Sequence, residues 1–215
     1  MIFKHFTART ISFLMIALFF AACKPNDINA PTITLLGDNP DVVLYKSAAS
    51  YTDPGYSALD ATDGPVTVTV IGTINLNSAG VQSLLYEATD ASGNKATANR
   101  IVIVDAAPYI AGVYNVLDVN DNGSSPLYTD TVSICDTAYN VVSFKWFGYM
   151  NGGTVNATIA GNTMTVYQQA VFCGTPPDNY TFTGFGDFTD STLFIDYTRV
   201  LNNSPITGTG SYVRQ

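Results

Sequence analysis

Histidine is almost missing from this chain. The only one, His5, lies in an N-terminal segment patterned like a removable signal. Without imidazole, no Ser-His or Cys-His nucleophile pair and no His-based zinc site can be built, whatever the fold. Glutamate is as scarce: Glu87 is the only one among 17 acidic residues. The aspartates sit mostly beside Gly, Asn, Pro or Thr, where a short carboxylate caps its own turn. Basic residues number nine against those 17 acids, so the chain lacks the positive face that nucleic acid requires. Strong helix formers are few, while Thr, Val and Tyr are abundant. That balance predicts an all-β protein.

The first residues have a different character. Lys4 and Arg9 precede an apolar stretch from Ile11 to Ala22 that is too short to cross a bilayer comfortably. It ends in Leu18-Phe19-Phe20-Ala21-Ala22-Cys23, which resembles the lipobox of bacterial lipoproteins. The resemblance implies a signal peptide over 1–22, removal before Cys23, and a diacylglycerol on the Cys23 thiol. The mature chain would carry a net charge of −10, since Lys4 and Arg9 leave with the signal and no acid does. Residues 23–30, with Pro25, Asn26 and Asp27, read as a lipidated tether. Lys24 at the second mature position agrees with sorting to the outer membrane.

From Pro31 to Asp105, short runs alternate apolar and polar residues. Val66, Val68 and Val70 are set against Thr67 and Thr69, and Leu84, Tyr86 and Ala88 follow the same period of two. This predicts half-buried antiparallel strands. The segments Tyr51 to Asp60, Asp63-Gly64, and Tyr86 to Asn94 followed by Arg100 resemble the bacterial Ig-like domain of pesticidal crystal proteins and surface lipoproteins. The resemblance implies an Ig-like β-sandwich over 31–105, a spacer or interaction module without catalytic residues.

Pro108 interrupts the ladder, and about eight strand candidates follow over 108–215, a spacing that suits a small antiparallel β-barrel or sandwich. Val142, Phe144 and Trp146 alternate with Ser143 and Lys145, and Gly161-Asn162 marks a two-residue hairpin turn. Gly112-Val113-Tyr114 is loosely similar to the opening of lipocalin-like barrels. The whole half resembles the C-terminal β-domain that accompanies Ig-like modules in small Gram-negative lipoproteins.

Four features of this half offer chemistry. Cys135 and Cys173 remain after lipidation of Cys23, and an oxidising envelope favours a structural disulfide between them over two buried thiols. That reading places Ile134 in the core and Cys135 outward. Asp118, Asn120 and Asn122, followed by Gly123, resemble the first half of an EF-hand-type calcium loop that lacks its closing Glu. An Asn-Gly hairpin turn is the plainer reading. Nine of the 13 tyrosines and seven of the 12 phenylalanines lie from Tyr109 onward, mostly as barrel core. If some form a ligand platform, phase selects Phe147, Tyr149 and Tyr167, and stacking suits a glycan. Asp187, Asp190 and Asp196 would have to supply any glycosidase pair, although turn and surface roles account for them.

The expectation is a non-enzymatic outer-membrane lipoprotein, held by its lipid and binding glycan or a protein partner at the cell surface. It needs no cofactor; if the loop at Asp118 binds anything, it binds calcium weakly. Two alternatives are a lipocalin-like carrier of a small apolar ligand, which requires an open barrel, and a glycoside hydrolase, which requires carboxylates across a cleft.

Overall fold

A computed structural model describes residues 27–123, 126–175 and 177–215. Cys23 and the signal segment lie outside the described residues. The N-terminal domain consists of two small sheets. One holds β1 (Thr32–Leu35), β3 (Tyr56–Asp60) and β4 (Gly64–Pro65). The other is ordered β2 (Asp41–Leu44), β7 (Lys95–Asp105), β6 (Gly80–Thr89) and β5 (Val68–Ile71). β2 runs parallel to β7, and the other pairs are antiparallel. The period of two places Leu84, Tyr86 and Ala88 in the core together with Val102 and Val104. β5 lies at the sheet edge, so Val70 and Ile71 are partly exposed.

A short helix, α1 (Ala107–Ile110), leads into β8 (Gly112–Asn120). Then come β9 (Leu127–Ile134), β10 (Val141–Phe144), a 3-10 turn (Phe147–Tyr149), β11 (Val155–Ala160), β12 (Thr163–Cys173), β13 (Asp178–Phe188), β14 (Thr192–Leu201) and β15 (Ser204–Arg214). Each strand pairs antiparallel with the next, and β15 returns to β8 to close an eight-stranded barrel. Closure removes the exposed edges that an open sandwich would keep.

The barrel interior is filled. Phe147 lies edge-on to Phe144, Phe182 and Tyr197 at ring separations of 5.3, 5.8 and 5.3 Å. Phe144 meets Tyr212 at 5.5 Å. This core runs on into the Ig-like domain through Tyr45, Leu76, Ala79, Val104 and Ala106. Polar contacts hold the same junction. The Asn140 side chain accepts from the Ala106 amide and donates to the Val104 carbonyl, and its own amide donates to Asp105 at 2.8 Å. Ala79 and Gly161 exchange backbone hydrogen bonds, and Lys46 pairs with Asp190 at 2.5 Å.

The predicted disulfide is absent. Cys135 follows β9 at the barrel end that meets the Ig-like domain, where its amide bonds the Val141 carbonyl. Cys173 closes β12 at the opposite end, where Gly174 bonds Asn151. At about 3.3 Å per strand residue, the length of β12 separates the two far beyond the 4.4–6.8 Å between Cα atoms that a disulfide spans. Ile134 is partly exposed rather than in the core.

Candidate functional site

The far half of the barrel encloses a polar cluster. Asp118 and Asn120 alternate on β8 with outward Leu117 and Val119, so both face inward and are buried. Asp118 accepts a 2.7 Å hydrogen bond from the Tyr197 hydroxyl. Asp130 on β9 accepts from the amides of Thr131, Lys145 and Trp146 at 2.7, 3.1 and 2.9 Å. Burial pushes the Asp130 carboxyl up to about 6 and raises that of Asp118 as well. Arg199 lies buried among them and donates to the Gly148 carbonyl. Asn120 and Tyr197 of this cluster also line a groove on the outer face of the barrel, and Arg199 borders a smaller recess with Tyr180 and Ile206, so the cluster both organises the barrel and backs these openings.

These positions correct the calcium-loop expectation. Asp118 and Asn120 are inward residues of a regular strand paired to β15, while Asn122 lies in the exposed turn beyond it. They do not wrap around one point as loop ligands must. The aromatic platform is also dispersed. Phe147 is only 1% exposed, because the 3-10 turn after β10 breaks the period of two and swings its ring into the core. Tyr149 is exposed but packs on Tyr128 at 5.4 Å, and Trp146 stacks on the same ring at 6.3 Å. Tyr167 lies elsewhere, outward on β12 at a bulge between Val166 and Gln169.

A groove of about 770 Å3 lies on the outer face of β8, β13, β14 and β15. A barrel exterior is normally convex. Here the inward positions Gly184, Gly186, Gly208 and Gly210 carry no side chain, which lets these strands bend sharply inward. A Cβ on Gly186 would lie 2.0 Å from the Phe194 carbonyl oxygen, so the close approach of β13 to β14 requires glycine. On Gly208 it would meet the Tyr197 hydroxyl at 2.5 Å.

The groove rim comes from outward residues, Thr183 and Phe185 on β13, Asp196 and Thr198 on β14, Thr207 and Thr209 on β15, and its floor from Gly184, Gly208 and the buried Asn120, Val166 and Tyr197. Phe185 is 59% exposed. Thr209 donates to Asp196 at 2.6 Å, and Asp121, at the β8 end, accepts from the Thr207 amide and hydroxyl at 3.0 and 2.8 Å. Those bonds from Thr207 hold the Asp121 carboxyl below the usual carboxylate range. Tyr167, 67% exposed, follows the groove-lining Val166 on β12, in the bulge at the groove margin. The set therefore combines open aromatic faces with oriented hydroxyls and carboxylates. Of the three aromatic candidates from sequence, only Tyr167 borders it. Phe185, Asp196 and the threonines were missed, although their outward phase on β13 to β15 is visible as alternation with glycine and core residues.

The hydrolase candidates do not form a cleft. Asp187 and Asp196 lie on the outer face of neighbouring strands, and Asp190 is engaged by Lys46 and the Tyr109 hydroxyl.

Residues 33–104 match the family described as bacterial surface protein, Ig-like domain. No curated protein matches the chain significantly. Among solved structures, a lipoprotein from Bacteroides thetaiotaomicron is 20% identical at a TM-score of 0.36, covering 86% of this chain and 100% of its own. A redesigned beta barrel is 16% identical at a TM-score of 0.38, covering 51% of this chain and 95% of its own. A structure solved with bound DFHBI is 13% identical at a TM-score of 0.40, over 51% of this chain and 97% of its own. The chain thus carries a bacterial surface Ig-like domain at residues 33–104, followed by an eight-stranded antiparallel β-barrel.

Proposed function

We propose that this is a non-enzymatic lipoprotein, anchored in the outer membrane through Cys23, whose barrel binds glycan at the cell surface in the groove of β13 to β15. The observation that carries the reading is the groove lining. Exposed Phe185 and marginal Tyr167 offer faces on which a sugar ring stacks, and Asp196, Asp121 and the threonines offer the donors and acceptors that hydroxyl groups need. The lipobox-like sequence and the match of residues 33–104 to a surface-protein family support this location. A packed interior leaves an apolar ligand no space, which argues against the carrier. The positions of Asp187, Asp190 and Asp196 argue against the hydrolase.

Affinity electrophoresis of the mature protein against cell-surface and plant polysaccharides tests binding. Retention by at least one polymer is expected, lost in Phe185→Ala with Tyr167→Ala and kept in Tyr149→Ala. Both replaced rings are exposed, so melting temperature should hold. Retention unchanged by the double replacement would overturn the groove assignment. Labelling with radioactive palmitate tests the anchor, and Cys23→Ala should abolish it.

A further inference from the structure

Four aspartates meet at the end of the Ig-like domain farthest from the barrel. Asp60 ends β3, Asp63 lies in the turn before β4, Asp90 opens the hairpin between β6 and β7, and Asp27 belongs to the entering segment. Each contributes a carboxylate oxygen, and these oxygens all lie within 4.8 Å of one another. Asp60 is 3% exposed. Its Oδ1 accepts from the Thr62 and Asp63 amides at 2.8 and 2.9 Å, while its Oδ2 is buried without a partner. Asp27 repeats the pattern, with Oδ1 taken by the Asn29 amide and Oδ2 buried and unpaired. Asn94 donates to the Asp27 carbonyl at 3.0 Å and to Asp90 at 2.7 Å, fixing the segment against the hairpin. Among the described residues, none of the four forms an ion pair.

Crowded carboxylates repel one another, and a buried carboxylate oxygen without a donor is costly. A cation at the centre relieves both. We propose that Asp27, Asp60, Asp63 and Asp90 form a calcium site that clamps the tether to the Ig-like domain. The donors are all hard oxygens, with no nitrogen or sulfur to favour zinc. Oxygens on a calcium shell of about 2.4 Å radius are at most about 4.8 Å apart, and the four oxygens here lie within 4.8 Å of one another. Turn formation explains only one oxygen of Asp60, Asp63 caps the neighbouring hairpin through the Ala91 amide, and Asp90 bonds its own turn with both oxygens, so the unpaired Oδ2 atoms of Asp60 and Asp27 are the ones left for a cation. On the reading of Cys23 as the anchor, a filled site leaves only residues 24–26 between lipid and folded domain, which makes the Ig-like unit a stiff stalk.

The test uses the mature protein in detergent micelles, stripped with chelator and titrated with calcium chloride or magnesium chloride by calorimetry. Expected are one calcium per chain, a rise of several degrees in melting temperature, and at least tenfold weaker magnesium binding. Asp60→Asn keeps the Oδ1 acceptor for both amides and should fold, yet bind calcium at least tenfold more weakly. Asp27→Ala changes a residue outside every strand and should weaken binding comparably. Calcium should also shield residues 24–30 from proteinase K in the wild type and not in Asp27→Ala. No binding at millimolar calcium, undiminished affinity in both variants, or loss in Asp118→Asn instead would overturn the site.

Discussion

Arg100 is fully buried, and its guanidinium is the main polar tie between the two Ig-like sheets. It donates to the Leu36, Gly55 and Asp38 carbonyls at 2.8, 2.9 and 3.0 Å and lies 3.2 Å from Asp53. The Tyr86 hydroxyl completes the set by donating to Asp53 at 2.5 Å. Arg100→Met should cost about 3–5 kcal/mol in urea unfolding, because it strands buried carbonyls and a carboxylate. A loss below about 1 kcal/mol would contradict this role. Asp130 supplies a second test at this scale. Its folded pKa, about 6, lies above its ordinary value of 3.8. The folded state therefore holds the proton more tightly, and as pH rises from about 4 to about 6 this group makes the protein progressively less stable. Burial raises Asp118 in the same sense. Asp130→Asn should keep its three amide contacts, flatten melting temperature against pH over that window, and stabilise the protein at pH 7.5. Parallel wild-type and variant curves would rule out a buried, titrating Asp130.

Strands were legible where period two runs unbroken, as in β6, β10 and β11, because each pleat commits alternate side chains to one face. The hairpin at Gly161-Asn162 announced itself by residue type, and Ala160 pairs Thr163 across it. Barrel closure was not legible, because it depends on β15 pairing with β8 nearly a hundred residues earlier. The phase assigned to Phe147 failed because β10 ends at Phe144 and a 3-10 turn follows. Turn chemistry read the aspartates in general as turn caps, but chain order does not reveal that Asp60, Asp63, Asp90 and Asp27 converge. The glycines of β13 and β15 carry meaning only in the closed barrel, where they set the curvature that makes the groove. Gly186→Ala should force β13 away from β14 and destabilise the barrel by about 1–3 kcal/mol. Its glycan retention should fall together with stability, and a variant as stable as wild type would contradict the curvature argument.

The molecule is organised as two domains that share one core, the Ig-like sheets and the groove-bearing barrel. The shared Tyr45, Val104 and Ala106 packing and the Asn140 network make the junction stiff. A single cooperative transition is expected in calorimetry, separating into two in Asn140→Ala, and two transitions in the wild type would contradict a shared core. On the proposed function, this stiffness would hold the binding face away from the membrane. The central claim is that this face is the outer groove of β13 to β15. The most direct test is a nuclear magnetic resonance titration of the mature protein with oligosaccharides released from whichever polysaccharide retains it. The account predicts shifts concentrated at Tyr167, Thr183, Phe185, Asp196, Thr198 and Thr209, with Tyr128, Trp146 and Tyr149 unmoved. Shifts centred on that second aromatic group, or none at saturating oligosaccharide, would contradict it.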